Sequence, residues 1–320
     1  MRDRLLQLLT ATDSFVSGQE ISTKLGISRT AVWKHIEELR KNGYELEAVP
    51  RKGYRLTHAP DLASIDEIKA SLHTEHFGTS IVYKKKVTST QEVAHELARN
   101  EAEEGTVVVA ETQYKGKGRM NREWHSPSGT GLWFSLIVRP DIIPQKAPQL
   151  TLMTAVAVTE GIMEATGIQA QIKWPNDILI DGKKIAGILT EMQSEPDRVQ
   201  AIIIGIGLNI NQQVEHFPEE LLPKATSLAL ENDGVTYQRA VVISAILKRL
   251  EQWYFHYLQH GFKEVRERWE SLAVTIGKQI KASTMKETVS GIAEGITEDG
   301  VLLLKKQDGT IEYIYSADID

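Results

Sequence analysis

The sequence predicts an α+β protein in three parts: an N-terminal winged helix-turn-helix over residues 1–60, a central α/β domain with a mostly antiparallel sheet over 64–270, and a small SH3-like β-barrel over 272–320. Three observations carry this. Short amphipathic helices separated by a glycine turn and followed by a basic hairpin fill the first segment. Short apolar runs alternate with longer helical stretches in the second. Only short strands with Asp-Gly turns, Asp299-Gly300 and Asp308-Gly309, remain in the third.

Leu5, Leu6, Leu8 and Leu9 open the first helix, and Ser17-Gly18-Gln19-Glu20 starts a second whose Ile21 and Leu25 share a face before Gly26 stops it. Ser28 caps a third helix with Val32, Ile36 and Leu39 as its apolar positions, ending before Gly43. Residues 44–49 alternate as a strand, and Pro50-Arg51-Lys52-Gly53 turns the chain back into Tyr54-Arg55-Leu56, a basic wing. Residues 57–63, polar and carrying Pro60, read as a linker, and Ser64-Ile65-Asp66-Glu67 has the spacing of a capping box. Beyond it the pattern predicts strands at 81–86, 106–111, 132–138, 170–173, 178–180, 185–192 and 199–208, and helices at 91–100, 150–166 and 237–260, the last two followed by Gly167 and Gly261.

Composition bounds the chemistry. A chain of 320 residues exceeds one ordinary core. With no cysteine, disulfides, thiolate zinc sites and cysteine nucleophiles are excluded, and a reducing cytoplasm is the simplest home. Apolar runs such as 201–206 fall far short of the roughly 20 residues a membrane helix needs, and the charged start lacks a signal's apolar stretch. Residues 1–60 hold 10 Lys/Arg against 7 Asp/Glu, whereas 61–320 hold 27 against 36, so only the first segment has the sign suited to phosphate.

Residues 111–124, Glu-Thr-Gln-Tyr-Lys-Gly-Lys-Gly-Arg-Met-Asn-Arg-Glu-Trp, form the densest signal. Gly116 and Gly118 let backbone approach a ligand while Lys117, Arg119 and Arg122 bring three cations to one loop, which suits polyanion handling; taken alone, a solvated basic loop fits as well. The spacing matches neither the P-loop nor the dinucleotide fingerprint. Lys173-Trp174-Pro175-Asn176-Asp177 leads into a hairpin turning at Asp181-Gly182, and alternation points Lys184 to the face opposite Ile185. On its own Lys184 could be an edge lysine that discourages aggregation, and Asp177 a turn carboxylate.

Together these runs resemble the biotin–protein ligase family, and the winged N-terminus resembles its bifunctional members, the biotin operon repressors. The motifs are Ser89-Thr90-Gln91, the run Gly116 to Trp124, the run Lys173 to Lys184, and Gly205-Ile206-Gly207-Leu208-Asn209, in that order. Gln91 replaces an Asn of the pattern, Lys117 the first loop Arg, and Tyr114-Lys115 a Thr or Gln followed by Ala. The resemblance implies ATP-dependent formation of biotinyl-5'-AMP and transfer of biotin to a lysine of a biotin carboxyl carrier protein, with Mg²⁺ on the triphosphate. It implies that Ser89, Thr90, Gln91 and Gln113 hydrogen-bond the biotin ring. Lys117, Gly118 and Arg119 would close over the adenylate with Arg122 beside them, and Lys184 would hold the carboxylate against the α-phosphate. Asn209 and Asp177 would support the nucleotide end. Trp124, Trp133 and Trp174 are core aromatics by type, one of which could stack on adenine.

The resemblance also implies a ligand-dependent homodimer that binds operator DNA. Arg29, Thr30, Trp33 and Lys34 occupy the N-terminal side of the third helix, where recognition helices read bases, and Arg51, Lys52 and Arg55 of the wing would meet phosphates. The rival readings are a lipoate–protein ligase, whose triple-glycine signature is absent, and a ligand-sensing repressor with weak or no ligase activity. Metallohydrolase and serine-hydrolase signatures are missing.

Overall fold

Leu5, Leu6 and Leu9 recur on one face of α1 (Arg2–Thr10), so burying them draws α1 onto α2 (Gly18–Leu25) and α3 (Arg29–Lys41), whose Ile21, Leu25, Val32, Ile36 and Leu39 complete a small core. In this computed structural model, which describes residues 1–195, 198–284 and 287–319, the Ser17 and Ser28 hydroxyls accept from the N–H groups of Glu20 and Ala31, capping α2 and α3. The wing is the hairpin β1 (Glu45–Val49) and β2 (Gly53–His58), with Val16 bridging to Tyr54.

The expected linker is held through Asp61, and the helix just after it is tied to the N-terminal unit through Glu67. Ser64 stands at the N-cap of α4 (Ile65–Ser71), yet its side chain makes no cap bond. The capping box is therefore corrected: the Glu67 carboxylate instead accepts from the Tyr44 hydroxyl and, at 3.2 Å, from Arg2, both in the N-terminal unit. Burial and then Glu67 push the Tyr44 phenol well above its usual range, keeping it a donor. Asp61 accepts from the backbone N–H of Arg239 at 2.8 Å and from its Nε at 2.9 Å. Nη1 of the same guanidinium donates to Glu111 at 3.0 Å and to the Gly131 carbonyl at 3.2 Å.

The central part supplies β3 (Ile81–Lys84), α5 (Thr90–Arg99), β4 (Val107–Ala110), the short hairpin β5 (Gly116–Lys117) and β6 (Glu123–Trp124), β7 (Gly131–Val138) and α6 (Ala147–Thr166). There follow β8 (Gln171–Lys173), β9 (Asp177–Ile180), β10 (Lys183–Ser194), β11 (Val199–Asn209), α7 (Arg239–His260) and α8 (Lys263–Leu272). Seven strands form one sheet in the order β3-β4-β7-β11-β10-β9-β8, parallel only between β3 and β4. The mostly antiparallel sheet of the sequence reading is thus present. Helix α8 was not anticipated, because its decapeptide is largely charged and buries only Val265 and Trp269, one turn apart.

Alternation along the strands sorts the two faces. Leu132, Phe134 and Leu136 of β7 with Ile202, Ile204 and Ile206 of β11 join the main core with α6 and α7. The opposite face carries Ile137, Ala201 and Ile203 against Ala94 and Ala98 of α5. Helix α5 is short: its first residues, Thr90 and Gln91, reach Ser135 and Gly205 on that second face, while Gly187 and Gly207 lie beyond them under Trp124.

The C-terminal strands β12 (Gln279–Ser283), β13 (Thr288–Ile296), β14 (Leu302–Lys305), β15 (Ile311–Ile314) and β16 (Asp318–Ile319) form an antiparallel sheet in the order β15-β14-β13-β12-β16. Its buried Ile280, Leu302 and Leu304 are continuous with the main core, and the Trp174 backbone N–H donates to Thr275 Oγ1 at 3.3 Å. Among the described residues no helix is long and apolar enough to cross a membrane.

Arg239 is 2 % exposed and faces two carboxylates. Removing it leaves Asp61 and Glu111 in a confined site without their cation. Arg239→Ala is expected to cost about 3 kcal/mol or more, read as a fall in urea midpoint; an unchanged midpoint would show that the clamp adds no stability.

Candidate active site

The floor of the site is the uncovered part of the second sheet face. Gly187 of β10 pairs directly with Gly207 of β11, and Gly205 lies two residues back on the same face. The Trp124 indole rests on Gly187 and Gly207, and the Gln91 carboxamide rests on Gly205. A Cβ at Gly187 would come to 2.9 Å from the Trp124 ring, one at Gly207 would be closer still, and one at Gly205 would meet Gln91 Oε1 at 2.7 Å. The Gly-x-Gly strand end is thus a consequence of what must lie flat on it.

Ser89 caps α5 and brings the following turn against this floor; its hydroxyl accepts from the Gln91 N–H at 3.3 Å. Gln113 Oε1 accepts from the Thr90 N–H at 2.8 Å, and Gln113 Nε2 donates to Ser126 Oγ at 3.0 Å. Ser135 Oγ lies 2.9 Å from Thr90 Oγ1 and 2.8 Å from Gln91 Oε1. Gln91 Nε2 reaches the Leu189 and Ile203 carbonyls and, at 3.0 Å, Glu191 Oε2. Hydrogen bonds from His95 and Gln91 hold the Glu191 carboxyl below the usual carboxylate range. This is a closely connected neutral polar end, with acceptors and donors fixed before any ligand enters.

The other end is cationic. Lys184 Nζ is 2.6 Å from Asp177 Oδ1 and 5.2 Å from the centre of the Trp124 ring. Its strand is held by the segment running past it: Lys184 N–H donates to the Lys224 carbonyl at 2.8 Å, and Thr226 N–H to the Lys184 carbonyl at 2.9 Å. Arg119 donates to Asn176 Oδ1 at 3.0 Å and to Ser316 Oγ at 2.8 Å. Burial pushes its pKa down while Asp177 and Asp318 oppose the shift, and a guanidinium starting so high stays charged. Arg122 grips Asp318 with both terminal nitrogens, and Lys117 pairs with Glu92 at 2.7 Å. The Trp174–Pro175 peptide is cis, and Asn176 Nδ2 donates to the Ile188 carbonyl at 2.8 Å, which fixes the group that receives Arg119.

These ends belong to one cavity of about 760 Å³. Ser89, Thr90, Gln91, Gln113, Lys117, Gly118, Arg119, Arg122, Lys184 and Asn209, drawn from four separate motifs, all line it, as does Asp177. Two sit differently from expectation. The Gln91 amide is already engaged by the sheet, and the Asn209 amide donates to the Thr226 carbonyl while its oxygen accepts from Gln212. Trp133 is buried core, whereas Trp124 and Trp174 also form cavity wall. The Trp124 indole N–H has no acceptor among the described residues. Sequence reasoning missed Ser135, although a serine inside the buried run Gly131–Val138 was a readable signal. It also missed Ser316 and Asp318, for which no local pattern existed.

A second, open groove lies between α3 and the wing, lined by Arg29, Thr30, Trp33 and Arg51. Lys34 and Lys52 are exposed beside it, and Trp33 leaves 54 % of its surface in solvent. Arg55 pairs with Glu47 at the wing and lies 5.0 Å over Phe15.

The biotin/lipoate A/B protein ligase family model matches residues 83–209, an HTH domain model residues 2–55, and a biotin protein ligase C terminal domain model residues 275–320. The bifunctional ligase/repressor BirA of Bacillus subtilis (strain 168) is 56% identical over 321 residues, covering 100% of this chain and 98% of the relative. That of Escherichia coli (strain K12) is 30% identical over 316 residues, covering 98% and 96%. The solved biotin protein ligase from Aquifex aeolicus in complex with biotin and ATP superposes with a TM-score of 0.65 at 32% identity, over 76% of this chain and 98% of that one. The chain belongs to the family of bifunctional biotin–protein ligases and repressors.

Proposed function

We propose that this enzyme joins biotin to AMP from ATP, passes the biotinyl group to one lysine of a biotin carboxyl carrier protein, and represses biotin-synthesis transcription while the adenylate is bound. The observation that carries the reading is the meeting of four motifs round one cavity that is neutral and polar at one end and cationic at the other. The three parts, 1–60, 64–270 and 272–320, would serve as reader of DNA, catalyst and closing wall.

The polar end suits a ureido ring, with Ser89, Thr90 and Gln113 as its partners. Gln91 and Asn209, whose amides are engaged elsewhere, shape the cavity instead. In the first step the biotin carboxylate attacks the α-phosphorus and pyrophosphate leaves. Two anions must approach, so Lys184 and Arg119 offset their repulsion and the charge that develops on phosphate oxygens. Lys117, Gly118, Arg119 and Arg122 then lie over the adenylate. In the second step the lysine Nε attacks the biotinyl carbonyl, the bond to AMP breaks, and the amine loses a proton as the amide forms. Asp177 and Asp318 are each taken by a cation, and among the described residues no group of three His, Asp or Glu side chains is placed to hold a metal ion. A Mg²⁺ ion would therefore be carried by the triphosphate oxygens, neutralising their charge.

Lys184→Ala is expected to slow pyrophosphate release with biotin and ATP by about 100-fold or more, while the partly exposed pair with Asp177 limits the stability loss to about 1 kcal/mol. A near wild-type release rate would remove Lys184 from the mechanism.

Arg119→Gly loses the planar fork that grips phosphate oxygens. The variant is expected to release biotinyl-AMP and label bystander lysines, scored by biotin blotting of a mixed protein pool. Retention equal to the parent would show that this loop is not the lid.

The groove between α3 and the wing suits base edges and phosphates, and a dimer would double a small basic patch. In gel shifts of the biotin-synthesis operator, binding should tighten when biotin and ATP are both present. Equal affinity with and without them would end the switch, and no binding in either state would end the repressor.

A further inference from the structure

Residues 61–320 together carry nine more acidic than basic residues, so a local excess of cations there is not background. One exists on two segments that lead into the cavity lining. Residues 84–88 and 112–115 run side by side: Val87 N–H donates to the Thr112 carbonyl, Tyr114 N–H to the Val87 carbonyl, and Lys115 N–H to the Thr88 carbonyl, at 3.0–3.2 Å. The first of these segments leads directly into Ser89 and Thr90, and the second encloses Gln113 and leads to Lys117, all four lining the cavity. Lys84, Lys85, Lys86 and Lys115 are exposed. Unlike Lys117 and Lys184, none of the four forms an ion pair among the described residues. Lys86 stacks over the exposed Tyr114 ring, which the Thr88 hydroxyl holds at 3.0 Å.

We infer that Lys84, Lys85, Lys86 and Lys115, with Tyr114, form the docking surface for an acidic face of the acceptor protein domain. This rests on the ligase reading above. The argument is electrostatic. The nucleophile is itself a lysine, and it must enter a mouth already lined by Lys117, Arg119 and Arg122. A bare lysine loop would be repelled, so a productive acceptor needs carboxylates flanking its target, and those carboxylates need cations outside the cavity. The four unpaired lysines stand there. Such a surface steers encounter and sets orientation more than it adds contact energy. A nucleic acid would satisfy the same charges, but the patch lies on the two segments that lead into Ser89, Thr90, Gln113 and Lys117 of the cavity lining, next to where the acceptor lysine must enter.

The test uses the full chain with Lys84, Lys85 and Lys86 all changed to Glu, a second variant with all three changed to Gln, and the apo biotin carboxyl carrier domain as acceptor. At low salt, kcat/KM for the carrier should fall at least 10-fold with Glu and less with Gln, and the wild-type advantage should shrink as salt rises. Trapping of the adenylate by hydroxylamine, a small neutral nucleophile, should be unchanged. Changing carboxylates near the carrier's target lysine to Lys should restore transfer by the Glu variant. Carrier kinetics equal to the parent, an equal loss with hydroxylamine, or a loss of operator affinity in place of carrier transfer would each overturn the docking surface. Failure of the unmodified protein to biotinylate the carrier would instead overturn the ligase reading, and the inference with it.

Discussion

One face of the central sheet is sealed and the other is only half covered, and the site exists because of that inequality. Helices α6 and α7 bury the even-numbered side chains of β7 and β11, while α5 covers the opposite face only as far as its own N-terminus. At and past that first turn the strands carry Ser135, Gly187, Gly205 and Gly207 in place of bulky apolar side chains. Glycine here is not a flexible residue but a thin one. It lowers the floor by the thickness of a side chain, and Gln91 and Trp124 lie down in the space so made.

Charge is arranged by the same economy of partners. Four cations of the cavity have a resident companion: Lys184 has Asp177, Arg122 has Asp318, Lys117 has Glu92, and Arg119 has the amide oxygen of Asn176 and the hydroxyl of Ser316. An anionic ligand therefore exchanges with these partners rather than meeting bare charge, and the net gain is smaller than the raw attraction. What the arrangement secures is position. Side chains held at both ends lose less freedom when the ligand arrives, and specificity is set by geometry more than by total charge.

The architecture was largely legible from periodicity: Leu5 to Leu9, the Ser17 and Ser28 caps, and the Asp181-Gly182 hairpin all stand where local rules put them. The cavity residues were legible because four motifs are runs of adjacent residues. What escaped is whatever depends on distant pairing. Ser64 to Glu67 has capping-box spacing, but Glu67 finds donors in Tyr44 and Arg2, and a long-range partner overrides a local one. Ser316 and Asp318 reach Arg119 and Arg122 across almost two hundred residues, so no window of sequence contains the contact.

The same long-range logic joins the two halves of the molecule. Glu111 follows the strand that leads into the cationic loop, Asp61 lies in the connection to the helix-turn-helix, and both carboxylates are held by the one guanidinium of Arg239. A buried guanidinium has a rigid plane and few rotamers, so it cannot follow two carboxylates that move apart, and leaving either unpaired is costly. The base of the loop and the base of the DNA-binding unit are therefore held to a common frame. Glu67 adds a second tie by reaching Tyr44 and Arg2 from α4. The connection that composition marks as a linker is thus flanked by two ties, Asp61 to Arg239 within it and Glu67 to Tyr44 and Arg2 just beyond it, so a shift of the loop's base and a shift of the N-terminal unit both act on buried or half-buried carboxylate contacts.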